Sequence, residues 1–366
     1  MIKKISIKNY RNIKNIELNF SEKENLILGK NGHGKTSILE AVYFLSVGRA
    51  YRSHSWDEVV NFNEDFSSID GEFFSEKIKN LSVFLQKKPR KKIKFTINNS
   101  EEKLLDFIGN FSSVYFSPDD LKIIKDGPSF RRNFLDSLLV KINKDFLFNL
   151  TNYGKILKQR NGILKKYGES SRFEILEILK IFDEKLADFG TKIQLERQKI
   201  LEKISEKILF FYKKISSGGG KKISEGKNFT LKYLHGLEKI SQENFLEKLN
   251  LRIERDLILG YTSVGPHRDD IEFFLDEKIM KDFASQGEIR TGILALKYAE
   301  IEILKEEGKE ITLLLDDVFS ELDADRQASL VDLSKKYQTI FTSVHYSGDL
   351  EDVKVFELVE GGFVGG

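Results

Sequence analysis

The 366-residue chain contains no cysteine. That absence excludes disulfide frameworks, thiol nucleophiles, iron–sulfur ligation and cysteine-bound zinc together, and a reducing compartment is compatible with it. Histidine is scarce: the five residues, 33, 54, 235, 267 and 345, never fall three or four apart, so no helical metal pair exists. Any metal should sit on carboxylates and phosphate. No stretch of about 18 apolar residues occurs, and residues 1–20 alternate charged and β-branched side chains with no apolar run. The expectation is a cytoplasmic chain, neither exported by a signal peptide nor spanning a membrane. A dominant charge sign is missing too, because 59 Lys+Arg face 57 Asp+Glu for a net +2, so any face that binds nucleic acid must be local.

What remains is ordinary globular material, 40% hydrophobic and 32% charged, with length enough for about two domains. Ile2, Ile5 and Ile7, then Ile16, Leu18 and Phe20, read as half-buried strands. Asn25-Leu26-Ile27-Leu28 is a short apolar run ending at Gly29, and Ile38, Leu39, Ala41, Val42 and Leu45 recur at helical spacing. The runs at 69–74, 81–85 and 93–97 predict an antiparallel meander. From Phe130 to about Ile215 the pattern is helical. Within it Ile175, Leu179, Phe182, Leu186, Phe189 and Ile193 form a stripe expected to be a bundle face, because it is too short for a sustained coiled coil. Ser216-Ser217-Gly218-Gly219-Gly220 closes the stretch as a turn or linker. Apolar strands are expected at 311–315, 338–342 and 353–359.

Between the first apolar strand and its helix lies Gly29-Lys30-Asn31-Gly32-His33-Gly34-Lys35-Thr36, which fits G-x-x-x-x-G-K-[ST] and is followed by Ser37. Glycines let successive backbone N–H groups close around a phosphate, and the following helix offers its positive end. Lys35 can reach the β- and γ-phosphates, and the Thr36 hydroxyl can ligate Mg²⁺. Residues 29–37 are therefore the candidate nucleotide contacts. Leu313-Leu314-Leu315-Asp316-Asp317 supplies a strand ending in two carboxylates, Asp316 for Mg²⁺ and Asp317 for the attacking water. Alone, such a strand end is commonplace; beside a phosphate loop it reads as the second half of the site. Ser285-Gln286-Gly287-Glu288 opens an apparent helix. In isolation it is an ordinary N-cap with a capping-box glutamate, yet its place 31 residues before Asp316 (316 minus 285) gives the order phosphate loop, Ser-x-Gly helix, acidic strand.

That order resembles the ATP-binding-cassette ATPases, with 317–323 (Asp317-Val318-Phe319-Ser320-Glu321-Leu322-Asp323) similar to their D-loop. The resemblance implies an ATP-dependent homodimer in which each phosphate loop faces the partner's signature serine, so Ser285, Gly287 and Asp323 join the nucleotide-binding set. Further motifs make the chain similar to the RecF recombination-mediator family, whose heads resemble those of the SMC and Rad50 proteins without a long coiled coil. They are Asn9-Tyr10-Arg11-Asn12, Gly48-Arg49-Ala50, Phe116-Ser117-Pro118-Asp119-Asp120-Leu121, Gly127-Pro128 with Arg131-Arg132-Asn133, Lys158-Gln159-Arg160-Asn161 and Gly265-Pro266-His267-Arg268-Asp269-Asp270. The fold implied is α/β, a P-loop ATPase head with an antiparallel meander and an inserted helical lobe. Residues 1–117 and 308–366 are expected in one lobe, and 118–307 in a second carrying the signature.

The function implied is slow, switch-like ATP hydrolysis coupled to duplex DNA near single-strand gaps, with RecR, RecO and functionally RecA as partners. Departures from the pattern are Glu288 for glutamine, Gln286 for glycine, and Asp317 for a residue one methylene longer. No glutamine follows Phe116 and no histidine follows Thr342; His345 is given no role. For DNA, six basic residues fall within the eight from Lys87 to Lys94, with Lys88, Arg90, Lys91 and Lys92 as candidate phosphate contacts and Arg131 and Arg132 as a second pair. A solvated turn is the plainer reading of that run. A transporter nucleotide-binding subunit and an SMC-like structural protein are the alternatives. Against the first stand the 248 residues between Thr36 and Ser285 (285 minus 36 minus 1), and against the second the lack of uninterrupted heptads.

Overall fold

The computed structural model describes residues 1–366 except 54, 75–77, 168–171, 217–226, 345–352, 360–361 and 365–366. His345 and most of the 216–220 linker therefore lie outside the described residues. In chain order the elements begin with β1 (Ile2–Tyr10), β2 (Ile13–Asn19), β3 (Glu24–Gly29), α1 (Lys35–Val47), β4 (Phe66–Phe74), β5 (Ile78–Gln86), β6 (Lys92–Ile97), β7 (Ser100–Glu102), α2 (Leu104–Phe107) and β8 (Ser112–Phe116). Helices α3 (Leu121–Lys125), α4 (Pro128–Ile142), α5 (Lys144–Leu164) and α6 (Arg172–Ser216) follow, then β9 (Phe229–Leu234), α7 (Gln242–Leu259), β10 (Asp270–Leu275), β11 (Lys278–Ile279) and α8 (Met280–Phe283). The chain continues through α9 (Gln286–Glu306), β12 (Ile311–Asp316), α10 (Ala324–Ser334), β13 (Gln338–Ser343), β14 (Val353–Val359) and β15 (Gly362–Val364).

These elements divide into two units. The first, residues 1–121, 211–226 and 290–366, holds two sheets. One has the order β2-β1-β4-β5-β6-β7 and is antiparallel throughout, which realises the expected meander. The other, β15-β14-β3-β13-β12-β8, is parallel except for the β14–β15 edge. Its central strands are apolar runs, as buried parallel strands must be. Helix α1 contacts both sheets, and every residue in it except Thr36 is buried, so Ile38, Leu39, Val42, Phe44 and Leu45 form the middle of the core.

The division differs from the expected boundaries, since residues 118–121, 211–226 and 290–307 fall in the first unit. Buried Lys297 on α9 donates to the Tyr115 carbonyl at 2.7 Å and lies 3.1 Å from the Asp120 carboxylate. A charge at that depth needs such partners, and they hold this part of α9 against the strand of β8.

The second unit, residues 122–210 and 227–289, packs α4, α5, most of α6 and α7 with the three-stranded sheet β11-β10-β9. Ile175 and Leu179 of α6 join Leu164 of α5 and Leu257 of α7 in a cluster, so the stripe is a bundle face. Gly190 is required there: a Cβ would sit 2.3 Å from the Phe245 ring of α7. Buried arginines cross-link the unit. Arg197 forks onto both oxygens of Asp136 at 2.9 Å and reaches the Pro266 carbonyl at 2.6 Å, while Arg160 joins Asp183 at 2.6 Å to Asp256 at 2.8 Å. The Lys158–Asn161 and Gly265–Asp270 motifs are thus largely internal scaffold.

Candidate nucleotide site and the cationic surfaces

The buried run of β3 brings the chain to Gly29, and the loop turns through two left-handed glycines, Gly32 at φ 85° and Gly34 at φ 100°. At Gly34 a Cβ would also be crowded, 3.3 Å from Ile13 Cγ1, so the left-handed φ is what requires glycine there. Helix α1 starts at once, with its first hydrogen bond from Ile38 N–H to the Gly34 carbonyl, leaving the amides of the opening turn directed out of the helix end. Lys35 lies along the loop, donating to the carbonyls of Gly29 at 2.6 Å and Lys30 at 3.2 Å. Burial lowers its proton affinity, opposed first by the Asp317 and then by the Asp316 carboxylate. Lys30, Asn31 and Gly32 are exposed, and His33 Nδ1 lies 3.1 Å from the Leu358 carbonyl of β14. The Ser37 hydroxyl is directed elsewhere, to Asn12 Oδ1 at 2.8 Å, while Asn12 Nδ2 donates to the Gly32 carbonyl at 2.6 Å. Ser37 can therefore offer a phosphate its backbone N–H, and its side chain is a brace.

Strand β12 is buried at every position and ends at Asp316. The parallel registers place Asp316 beside Thr342 of β13 and Leu314 beside Tyr115 of β8. Three hydroxyls consequently donate to one carboxylate: Thr36 at 2.9 Å and Thr342 at 3.0 Å on Oδ1, and Tyr115 at 3.0 Å on Oδ2. Burial raises the Asp316 pKa, and these three donors oppose it. Burial and then Asp316 push the Tyr115 phenol well above its ordinary value, so it is a neutral donor. Asp317 occupies a left-handed position, φ 50°, with its N–H donating to Thr342 Oγ1 at 2.9 Å.

Tyr115, Thr342 and Asn12 escaped the sequence reading. Tyr115 and Thr342 come from strands hydrogen-bonded to β12, and their one signal is a hydroxyl inside an apolar run. Asn12 belongs to the Asn9–Asn12 motif, whose neighbour Arg11 contacts buried Glu40 of α1 at 2.5 Å, with Arg52 on the other Glu40 oxygen at 2.8 Å. Those ion pairs fix α1, and with it the phosphate loop.

Ser285 belongs to the second unit, exposed at the start of α9. It forms the full capping box: its N–H and Oγ both lie 2.7 Å from Glu288 Oε2, and Glu288 N–H lies 3.3 Å from the Ser285 Oγ. Lys227 adds a contact to Glu288 at 2.6 Å and, ahead of the Ser285 hydrogen bonds, holds that carboxyl down at about 2. Glutamate in place of glutamine thus has a local explanation. Gly287 follows in the first turn of α9. Asp323 caps α10, accepting from Arg326 N–H at 3.1 Å and pairing with its guanidinium.

One cation assignment is corrected, that of Arg131. Arg131 is buried, forking onto Asp270 at 2.5 and 3.0 Å and donating to the Asp126 carbonyl at 2.7 Å, so it cannot meet DNA without abandoning those partners. Arg132 is half-buried and donates to the Asp269 carbonyl at 2.6 Å. Both arginines serve α4 and β10 because a guanidinium there satisfies buried acceptors. The 87–94 run does surround the β5–β6 turn. Lys88 lies 3.6 Å from Asp65 and Lys91 2.5 Å from Asp57, whereas Arg90 and Lys92 are exposed with no partner among the described residues.

Among the described residues no group of three or more His, Cys, Asp or Glu side chains could hold a metal alone. Mg²⁺ takes hard oxygens, usually one or two carboxylates with substrate phosphates and water. The adjacent Thr36 hydroxyl and Asp316 carboxylate fit it. No helix among the described residues is long and apolar enough to cross a membrane.

Residues 1–355 match the family described as RecF/RecN/SMC N terminal domain. A curated relative, DNA replication and repair protein RecF of Caldanaerobacter subterraneus subsp. tengcongensis, is 36% identical over 98% of each chain. A solved structure of the recombination mediator protein RecF with ATP, in the RecFOR pathway, superposes with a TM-score of 0.86 at 34% identity, covering 99% of this chain and 96% of that one. An SMC head bound to the C-winged helix domain of ScpA shares the fold at a TM-score of 0.52 and 17% identity, over 99% of this chain and 95% of the other.

Proposed function

The chain belongs to the RecF family, an ABC/SMC-type ATPase head, and from that premise we propose that it is an ATP-switched DNA-binding protein of recombinational gap repair. It binds ATP with Mg²⁺, closes into a homodimer on duplex DNA beside a single-strand gap, and acts with RecR and RecO to direct RecA there from the cytoplasm. Hydrolysis is slow and resets the dimer. The observation that carries this reading is the placement of the Thr36 hydroxyl 2.9 Å from the buried Asp316 carboxylate, across 280 residues of chain.

In the mechanism, the amides opening α1 and the Lys35 ammonium bind the phosphate tail, and Thr36 and Asp316 would hold Mg²⁺. Bound there, the ion would screen the phosphate charge that grows toward the transition state. Tyr115 and Thr342 keep the Asp316 carboxylate turned toward Thr36. Asp317 orients or deprotonates the attacking water, and its short side chain accounts for a low rate. Ser285 and the amides opening α9 of a second copy supply the remaining γ-phosphate contacts. The exposed cations of the 87–92 turn contact DNA phosphates.

Oligomeric mass measured with no nucleotide, with ADP and with a slowly hydrolysed ATP analogue, each with and without gapped DNA, tests the reading. Dimers should form only with the triphosphate and gain stability with DNA. A mass indifferent to nucleotide would sink it.

A further inference from the structure

We propose that one end of the open face of the antiparallel sheet, in the first unit, stacks the unpaired bases of single-stranded DNA on Phe62, Phe66 and Phe84. The idea rests on the DNA-binding reading above and adds which part of a gapped substrate this surface takes.

The sheet has two unlike faces. Ile5, Ile7, Ile69, Val83 and Leu85 point inward and are wholly buried. On the outward face an alternating strand should carry polar side chains. Yet Phe66 of β4 and Phe84 of β5 stand there half-buried, ring centroids 5.7 Å apart and planes 27° from parallel. The registers explain the meeting: Phe84 faces Ser68, and Phe66 faces Gln86, so the rings are diagonal neighbours across adjacent strands. Phe62 is more unusual, 95% exposed in the loop before β4. The Lys87 ammonium holds that loop to the basic turn, donating to the carbonyls of Val60 at 2.9 Å and Asn61 at 3.2 Å.

Cations frame these rings. The Lys8 ammonium sits 5.4 Å from the Phe66 centroid. Lys92 shares a row with Gln86 and Phe66, and Arg90 projects from the turn beyond it. Carboxylates enter the face in the rows beyond, Glu17, Asp70 and Glu101 in the row of Ser6 and Glu72 after them, with Glu101 paired to Lys94; at the ring end Asp65 and Asp57 are paired with Lys88 and Lys91. The end that bears the rings therefore combines them with three cations, Lys8, Arg90 and Lys92, that make no ion pair among the described residues. A polyanion bearing flat apolar groups is the partner that complements such an end, and those groups must be unstacked to meet a phenyl ring, which selects single strands over duplex. Base-edge readers are not needed, so tolerance of sequence is expected.

Three DNAs separate the possibilities: a blunt duplex, the same duplex with a gap of thymidines, and one whose gap carries abasic residues with the phosphates intact. With a slowly hydrolysed ATP analogue, the parent should bind the thymidine gap about tenfold or more better than the abasic gap, as expected for one stacked base. Phe62→Leu with Phe84→Leu keeps apolar bulk and should abolish that preference while leaving ATP and blunt-duplex affinity unchanged. Equal binding of both gaps by the parent, or an undiminished preference in the variant, overturns the stacking inference and leaves the DNA reading standing. A parent that binds none of the three overturns both.

Discussion

Asp317→Asn is the substitution that most directly separates nucleotide binding from hydrolysis. Asparagine tolerates the left-handed position, φ 50°, and the bond from the backbone N–H of residue 317 to Thr342 Oγ1 at 2.9 Å does not involve the side chain. The dimer and the ATP affinity should therefore survive. Loss of a positioned general base costs about 10²–10⁴ in rate, or roughly 3–5 kcal/mol of barrier at about 1.4 kcal/mol per tenfold. Asp317→Ala should show the same kinetic loss plus about 1–2 kcal/mol of backbone strain, visible as a lower melting temperature. A second effect follows from Lys35, whose proton affinity burial lowers and whose foremost opposing charge is Asp317. Removing that charge lowers the Lys35 pKa further, so ATP affinity, which needs the ammonium, should be lost at lower alkaline pH than in the parent. The assay is single-turnover hydrolysis beside equilibrium ATP titration across pH. Under ATP the variant should also remain on DNA longer than the parent, and equally long with a non-hydrolysable analogue. Normal turnover in Asp317→Asn would show that the water is activated elsewhere.

Asp316→Asn should reduce ATP affinity about tenfold or more only when Mg²⁺ is present, because the three hydroxyl partners remain while the ligand charge is lost; an equal loss in chelator would contradict the metal role. Ser285→Arg should bind ATP and stay monomeric by light scattering, and ATP-dependent dimers in that variant would leave Ser285 as a helix cap alone. Arg131→Leu should lower stability by about 3 kcal/mol with no change in the salt dependence of DNA binding, whereas Arg90→Ser with Lys92→Ser should leave melting unchanged and flatten the log–log salt slope by about 1.8. Glu288 is held at about 2 by Lys227 and Ser285, so its contribution is complete above its ordinary value of 4.5 and fades as pH falls from there through 2. Glu288→Gln should remove that part of the acid-side loss in a urea titration series.

The phosphate loop and the apolar strand before Asp316 were legible because each is a local pattern, a fixed glycine spacing and an uninterrupted hydrophobic run. Neighbours across the sheet were not. Tyr115 is 201 residues from the carboxylate it serves, and strand register, which no short window records, brings them together. Arg131 was misread for the same reason. On a helix start it has the appearance of a surface cation, and only Asp270, 139 residues on, makes it a buried pair. The boundary within α9 was missed because periodicity marks a helix without saying where its packing partners change. By contrast the capping box at Ser285 was visible, since cap and partner are three residues apart.

Strand β3, which delivers the phosphate loop, is hydrogen-bonded on one side to β13 and on the other to β14. Asn25 and the Thr339 carbonyl that it contacts are separated by 314 residues. On a ribosome the loop therefore emerges about 300 residues (338 minus 36) before either flanking strand exists. A nascent chain released before residue 338 has the whole phosphate-binding motif but neither strand that flanks β3, so truncated products should be blind to ATP and unable to compete with the full chain.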